Sequence, residues 1–252
     1  MVKGIEVFRK HFAGDEDKYV LIGGTACDLL FQKNGLPFRA TRDLDIILVA
    51  EALTPEFGVK FWEFIKNGKY MIQQRSDGNP IFYRFRNPQD KAFPAMLELF
   101  SRSSKTLDPV SPDSNLTKIP LGDEISSLSA ILLNNSYYAL LKDGTIQIDG
   151  ISLLSDVYLL LFKAKAWLDL SGRKKLGGNV DSRDIKKHKN DVFRLSALLS
   201  PTLKVDIHGE VKNDLVEFIN ACEGDTIDPK ALGLSGLSQS DILQRIKIFY
   251  GV

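Results

Sequence analysis

Long hydrophobic runs are missing from this 252-residue chain. None approaches the ~20 apolar residues that a membrane span requires, so a membrane protein is not expected. Cysteine is scarce: Cys27 and Cys222 stand far apart, each in a segment of helical pattern. Two such residues make no disulfide framework, and a reducing cytoplasm is the expected compartment. An excess of one charge is missing too. The 33 basic and 32 acidic residues leave a net charge of +1, which supplies no general attraction to nucleic acid. The opening MVKGIEVFRKHFAG mixes charged and apolar residues every few positions, a helix pattern where a signal peptide would need an apolar core. There is no internal repeat and no low-complexity tract. What is present, 44% hydrophobic and 26% charged residues, is ordinary for a globular protein. A chain of this length buries about three quarters of its unfolded surface, enough for one large or two modest domains.

The patterning predicts a helix over 5–13, a strand over 19–22, a helix over 25–32 and a strand over 44–49. TPEFGVKFWEFIKNG reads as a helix with Thr54 as N-cap, Pro55 at its first position and Glu56 in its first turn. Residues 70–86 read as a hairpin turning across 76–80. In its second arm Ile81, Tyr83 and Phe85 share one face, and Phe82, Arg84 and Arg86 the other. A further short strand is expected over 95–101, and the Ser-, Asp- and Pro-rich stretch 102–127 reads as loop. Asp143-Gly144 lies between β-prone arms and predicts a second hairpin over 137–150. Beyond it the pattern is helical, with helices over 154–170, 183–200, 212–222 and 239–250. A mixed α/β part over 1–150 and a helical part over 151–252 follow.

YVLIGGTACDLLF runs an apolar strand into Gly23-Gly24 and on into an apolar helix. Such a junction presents unpaired backbone N–H groups at a helix start, which favour an anion. Glycine lets a phosphate approach without a Cβ in the way. Thr25 could cap the helix or donate its hydroxyl to a phosphate oxygen. The Lys-Ser/Thr pair of a Walker A loop is missing, as is the third glycine of a Rossmann fingerprint. Glycines that merely pack a strand against a helix would look the same.

RDLDIILV then places two carboxylates on a strand. Residues two apart share a face, so Asp43 and Asp45 project together while Leu44, Ile46 and Leu48 face the other way. Paired carboxylates repel unless a cation sits between them. Mg²⁺ suits them, since it binds through one or two carboxylates plus substrate phosphates; a strand end reaching solvent is the alternative. Glu98 sits mid-strand in PAMLELFSR, where a charge is costly unless paired or metal-bound. It could serve the same cation or stand on a wet edge.

GGT at a strand end, Asp-x-Asp on the next strand and an acidic residue on a later one resemble the nucleotidyltransferase superfamily of the DNA polymerase β type. Within it, LIGGTA…TRDLDIIL is most similar to the AbiEii/AbiGii-type abortive-infection toxins, the toxin half of type IV toxin–antitoxin pairs. The resemblance spans about residues 19–199. It implies an α/β (α+β) nucleotidyltransferase fold, with a mixed β-sheet in the N-terminal half and an all-helical C-terminal half. It also implies that Gly23, Gly24 and Thr25 hold a triphosphate, with Arg42 counted among the nucleotide-binding groups. Asp43, Asp45 and Glu98 would hold two Mg²⁺ ions. LLLFKAKAWLDLSGRKK resembles the family's helix with a functional lysine, placed at Lys163, and KKHKNDVFRL its later Lys-Asp segment, placed at Asp191. Two departures stand out. KNGLPFRATR lengthens the gap between glycines and aspartates, and Arg194 occupies the place of a second aspartate; Asp184 offers an alternative register.

By its spacing Lys163 lies off the stripe of Leu154, Val157, Leu161 and Leu168, so its ammonium is free to enter a cleft or to be solvated. Asp184, Lys187, Asp191 and Arg194 recur three or four apart, which also describes a solvent-facing ladder of ion pairs. His188 falls on the stripe of Ile185, Val192, Leu195 and Leu199 and reads as a packed core-edge residue. His11 and His208 belong to no motif. Residues 163–194 hold ten basic and four acidic residues, a net charge of +6, able to follow an RNA backbone or simply to be a solvated face. The expected activity is transfer of a nucleoside monophosphate from an NTP to a hydroxyl on RNA, tRNA or protein, in the groove between the two halves. An antitoxin protein is the partner the resemblance implies. The alternatives are a non-catalytic nucleotide-binding protein of degenerate fold and a small-molecule nucleotidyltransferase of the antibiotic-modifying kind.

Overall fold

Ile5 and Phe8, three apart and buried, anchor helix α1 (Ile5–His11). The chain then enters β1 (Tyr19–Ile22), all four of whose residues are buried. The computed structural model describes residues 2–49, 51–74, 80–101, 131 and 134–252, with backbone alone at 72–74 and 80–83. Helix α2 (Gly23–Lys33) follows β1 without an intervening residue, and β2 (Asp43–Leu48) comes next. α3 (Pro55–Gly68) starts as its sequence dictates. The Thr54 side chain accepts from the Phe57 N–H at 3.3 Å, a cap worth about 1 kcal/mol. Strands β3 (Met71–Gln74), β4 (Pro80–Arg86) and β5 (Met96–Phe100) complete one side of the sheet. The turn of the β3–β4 hairpin and the expected loop over 102–127 lie outside the described residues.

The described strands order as β3-β4-β5-β2-β1-β7-β6, where β6 is Thr145–Ile148 and β7 is Ile151–Leu154. β2 and β5 are parallel, as are β1 and β7; the other neighbours are antiparallel. Leu44, Leu97 and Phe85 form one cross-strand row and are all 0% exposed. The Phe85 ring lies 5.9 Å from Phe61 and 5.8 Å from Trp62, both on α3. α3 therefore covers this face. Phe12 follows α1 directly, and Phe8 and Phe12 pack on Phe64 at 5.8 and 5.3 Å, which brings α1 to the same layer. The opposite face is the one that carries Asp43, Asp45 and Glu98.

The hairpin predicted around Asp143-Gly144 does not form. Residues Asn135–Gly144 are instead helix α4, and the hairpin turns at Asp149-Gly150, between β6 and β7. Both turn residues have positive φ, 49° and 74°, as a two-residue type I′ turn requires. Burial explains the choice. Tyr137, Tyr138, Leu141 and Gly144 are buried at helical spacing, and a Cβ at Gly144 would stand 2.2 Å from the Tyr158 ring. The pattern expected to be helical from about residue 152 likewise yields to β7 before α5 begins.

By contact the chain divides into Met1–Leu133 with Thr145–Ser155, and Asn134–Gly144 with Asp156–Val252, where composition suggests a single cut after residue 150. The second unit is α4 with α5 (Asp156–Lys175), α6 (Ser182–Leu195), α7 (Gly209–Glu223) and α8 (Gln239–Tyr250). A polar network ties α4 into it. The Tyr137 hydroxyl donates to Asp214 at 2.8 Å, and Lys165 donates to Asp214 and Glu210 at 3.0 and 3.3 Å. α8 opens with a capping box between Ser238 and Asp241. Cys27 and Cys222 are buried and not joined in a disulfide, and burial pushes the Cys222 thiol up to about 12. Among the described residues no helix is long and apolar enough to cross a membrane.

Candidate active site

The glycine pair does more than turn the chain. Gly23 has φ of 69°, a left-handed conformation that costs any residue with a Cβ. A Cβ built there would stand 1.7 Å from Asp45 Oδ2. The carboxylate of Asp45 thus occupies the space left by the missing side chain, at the first residue of α2. This closeness follows from register, because Ile22 is the cross-strand partner of Asp45.

At Gly24 a Cβ would meet Thr41 Oγ1 at 2.5 Å and Arg39 Nη2 at 3.4 Å. Both come from the long loop between α2 and β2, and sequence reasoning had singled out neither. Phe38 helps to place that loop, its ring 5.0 Å from Phe31 and 5.2 Å from the Arg39 guanidinium.

Thr25 has another role than the one expected of its hydroxyl. It is 0% exposed, and its Oγ1 donates to the Asp43 carbonyl at 2.6 Å. The hydroxyl proton goes to the sheet, where it fixes α2 against the start of β2. The helix N-cap is Ile22, without a side-chain cap. Arg42 is exposed at the mouth of β2.

Asp43 and Asp45 are half-buried while Leu44 and Ile46 between and beside them are buried, so the two carboxylates share one face. Glu98 is the direct partner of Asp45 across the parallel β2–β5 pair. Arg84 is in turn the partner of Glu98 across β4–β5, with Nε 2.5 Å from Oε1. The row reads Asp45, Glu98, Arg84. In the next row Asp43 stands beside Met96 and Arg86, and Arg86 Nε lies 3.1 Å from the Met96 sulfur. Among the described residues no group of three His, Cys, Asp or Glu side chains is gathered closely enough to hold a metal ion. Glu98 lies beside Asp45 but is engaged by Arg84.

The helical unit brings Lys163 and Asp191 together, with corrections. Lys163 is 4% exposed and its Nζ lies 3.2 Å from Asp191 Oδ2. It is not an ammonium free to enter a cleft, because α6 supplies a carboxylate to it. Asp191 is 0% exposed and also meets Arg194 Nη1 at 3.4 Å, so it belongs to no solvent-facing ladder. Asp184, the alternative register, is exposed in the first turn of α6. The ten cations of 163–194 do not form one face either. Lys163 and Arg194 serve Asp191, Lys165 serves Asp214, and Lys189 pairs with Asp225. Arg173, Lys174, Lys175, Arg183 and Lys186 are exposed near the α5–α6 turn.

No family model and no curated protein matches this chain. Among solved structures, the antibiotic-resistance factor ANT(2'')-Ia, known from a solution structure, is similar at a TM-score of 0.34 and 12% identity, over 86% of this chain and 91% of that one. A likeness so loose carries neither fold nor function across.

Proposed function

We propose that this chain is a nucleotidyltransferase, moving a nucleoside monophosphate from an NTP to a hydroxyl acceptor. The observation that carries the reading is the Asp45 carboxylate lying against Gly23 at the start of α2, with Glu98 beside it in register. A bound cation would offset the charge of these carboxylates and of a phosphate at the helix start. The donor set fits a hard divalent cation. It offers carboxylate oxygens without nitrogen or sulfur, and Mg²⁺ needs no more than two carboxylates when phosphate oxygens complete its shell. Asp43 and Asp45 would hold it, and Glu98 would join them as the third carboxylate only on leaving the Arg84 guanidinium. The bound cation would neutralise phosphate charge in an in-line displacement.

The chain's own groups do the rest. The backbone amides at Gly23 and Gly24 receive the triphosphate oxygens. Arg39, beside Gly24, adds a guanidinium to that cradle. The acceptor oxygen attacks the α-phosphorus, the bond from that phosphorus to the bridging oxygen breaks, and pyrophosphate leaves. Glu98 takes the acceptor's proton. Lys163, which the sequence resemblance assigns to phosphate, is instead buried against Asp191 within the helical unit. That resemblance, LIGGTA…TRDLDIIL, is also what supports a toxin role with an RNA, tRNA or protein acceptor and a cognate antitoxin. The exposed cations near the α5–α6 turn suit RNA.

The test is incubation with each labelled NTP, Mg²⁺ and total cellular RNA. Asp43→Ala with Asp45→Ala should lower transfer about a thousandfold, since charge stabilisation of several kcal/mol is removed. Unchanged transfer in that variant would end the proposal. A second reading, a nucleotide-binding protein without turnover, is favoured by the Arg84–Glu98 ion pair, which engages the third carboxylate. Calorimetric NTP binding with no labelled product would select it.

A further inference from the structure

Arg84 is the one charged member of the Asp45–Glu98–Arg84 row to which the proposed reaction gives no task. Its side chain is 29% exposed and that of Glu98 16%, with Nε 2.5 Å from Oε1. Carboxylates directly opposite on neighbouring strands repel. Asp45 and Glu98 are such a pair, and Arg84 supplies positive charge on the far side of Glu98. A divalent cation at Asp43 and Asp45 would supply positive charge on the near side. Both cannot engage the same Glu98 oxygens at full strength.

We propose that Arg84 is a positioning residue that holds Glu98 when no cation is bound and competes with the divalent cation for it. The inference rests on the nucleotidyltransferase reading of this site. Arg84 then acts as a latch. Glu98 stays ordered and charge-compensated in the empty site, and joins the cation only by giving up the guanidinium. The ion pair is partly open to solvent, so exchange is within reach of a bound ion. Arg86 is the natural control, being on the same face one row away and directed at the Met96 sulfur.

Mn²⁺ titration of the full chain, followed by the paramagnetic resonance of free Mn²⁺, tests this without reference to turnover. Arg84→Gln should tighten Mn²⁺ binding about threefold, the worth of a partly exposed ion pair. In a Glu98→Gln background the same substitution should change nothing, and Arg86→Gln should leave the affinity at its wild-type value. Unchanged or weaker binding in Arg84→Gln, or tightening that persists without the Glu98 carboxylate, overturns the latch. So does a failure of wild type and Arg84→Gln alike to bind Mn²⁺. If Arg84→Gln does not fold, Arg84→Lys should tighten binding by a smaller factor, and no tightening there also overturns the proposal. Mn²⁺ binding that depends on Asp43 and Asp45 but not on Arg84 refutes the latch alone. Binding indifferent to both aspartates refutes the site itself.

Discussion

The two units each bring charged side chains into close contact, and they do it in opposite ways. On the sheet, Asp45, Glu98 and Arg84 stand in a row on a half-buried face, one cation among two carboxylates. In the helical unit Asp191 is wholly buried between Lys163 and Arg194, one carboxylate among two cations. A half-buried ion pair can trade partners with solvent or an incoming ion at small cost. A buried one cannot, because either charge left alone is stranded in low dielectric. The sheet row is therefore suited to binding, and the helical cluster to holding a lysine in place.

The largest expected effect breaks the helical cluster. Asp191→Ala leaves Lys163 and Arg194 without their shared carboxylate and should cost about 3–5 kcal/mol. Asp45→Asn, which relieves a repulsion, should shift stability by less than about 1 kcal/mol. The two tryptophans make the contrast measurable. Trp62 lies on α3 in the sheet unit, and Trp167 on α5 in the helical unit, edge-on to Phe218 at 5.3 Å. Urea unfolding of single-tryptophan variants should show Asp191→Ala moving the Trp167 transition. Equal losses from both substitutions would erase the distinction.

A smaller effect sharpens the sheet side. Gly23→Ala must adopt a left-handed backbone and push the Asp45 carboxylate aside, which should cost about 1–3 kcal/mol. Nucleotide transfer should fall at temperatures where the variant is still folded, and circular dichroism alongside the transfer assay separates the two.

The smallest effect is a pH dependence of the sheet unit. Burial would raise the Asp15 carboxyl, but hydrogen bonds and charge from Lys60 and Lys18 outweigh it and hold the carboxyl below its ordinary value. A depressed folded value means stability present above the unfolded pKa and lost as pH falls through the folded one. Asp15→Asn should therefore destabilise by about 0.5 kcal/mol at neutral pH, given the solvent screening of such pairs. The difference should shrink as pH falls through the ordinary aspartate range and vanish only below the depressed folded value. A difference that persists in strong acid would show that the effect is not electrostatic.

Much of the sheet unit was legible in the chain because its signals are local. β1, β2 and β5 are short apolar runs, and α3 carries its own cap and first-turn proline. The shared face of Asp43 and Asp45 follows from the period of a strand. The second hairpin lies away from its expected place because Asp143-Gly144 and Asp149-Gly150 give the same local cue. Only the packing of Tyr137, Leu141 and Gly144 sends the first into a helix. Arg84 was legible as a member of a polar face, but not as the partner of Glu98, since strand pairing is invisible along one strand. The Lys163–Asp191 pair is hidden from the sequence for a similar reason. The spacing of Lys163 on α5 is silent about the carboxylate that α6 brings to it.

The sequence by itself determined most of the sheet unit's elements, the glycines at the start of α2 and the common face of the two aspartates, because backbone sterics and side-chain periodicity act within a few residues. Tertiary structure decided which charges meet. It set Asp45 on Gly23, Glu98 beside Asp45 and against Arg84, and Lys163 on Asp191. Electrostatic partnership depends on distance in space and on burial, and both are fixed only when strands pair and helices pack.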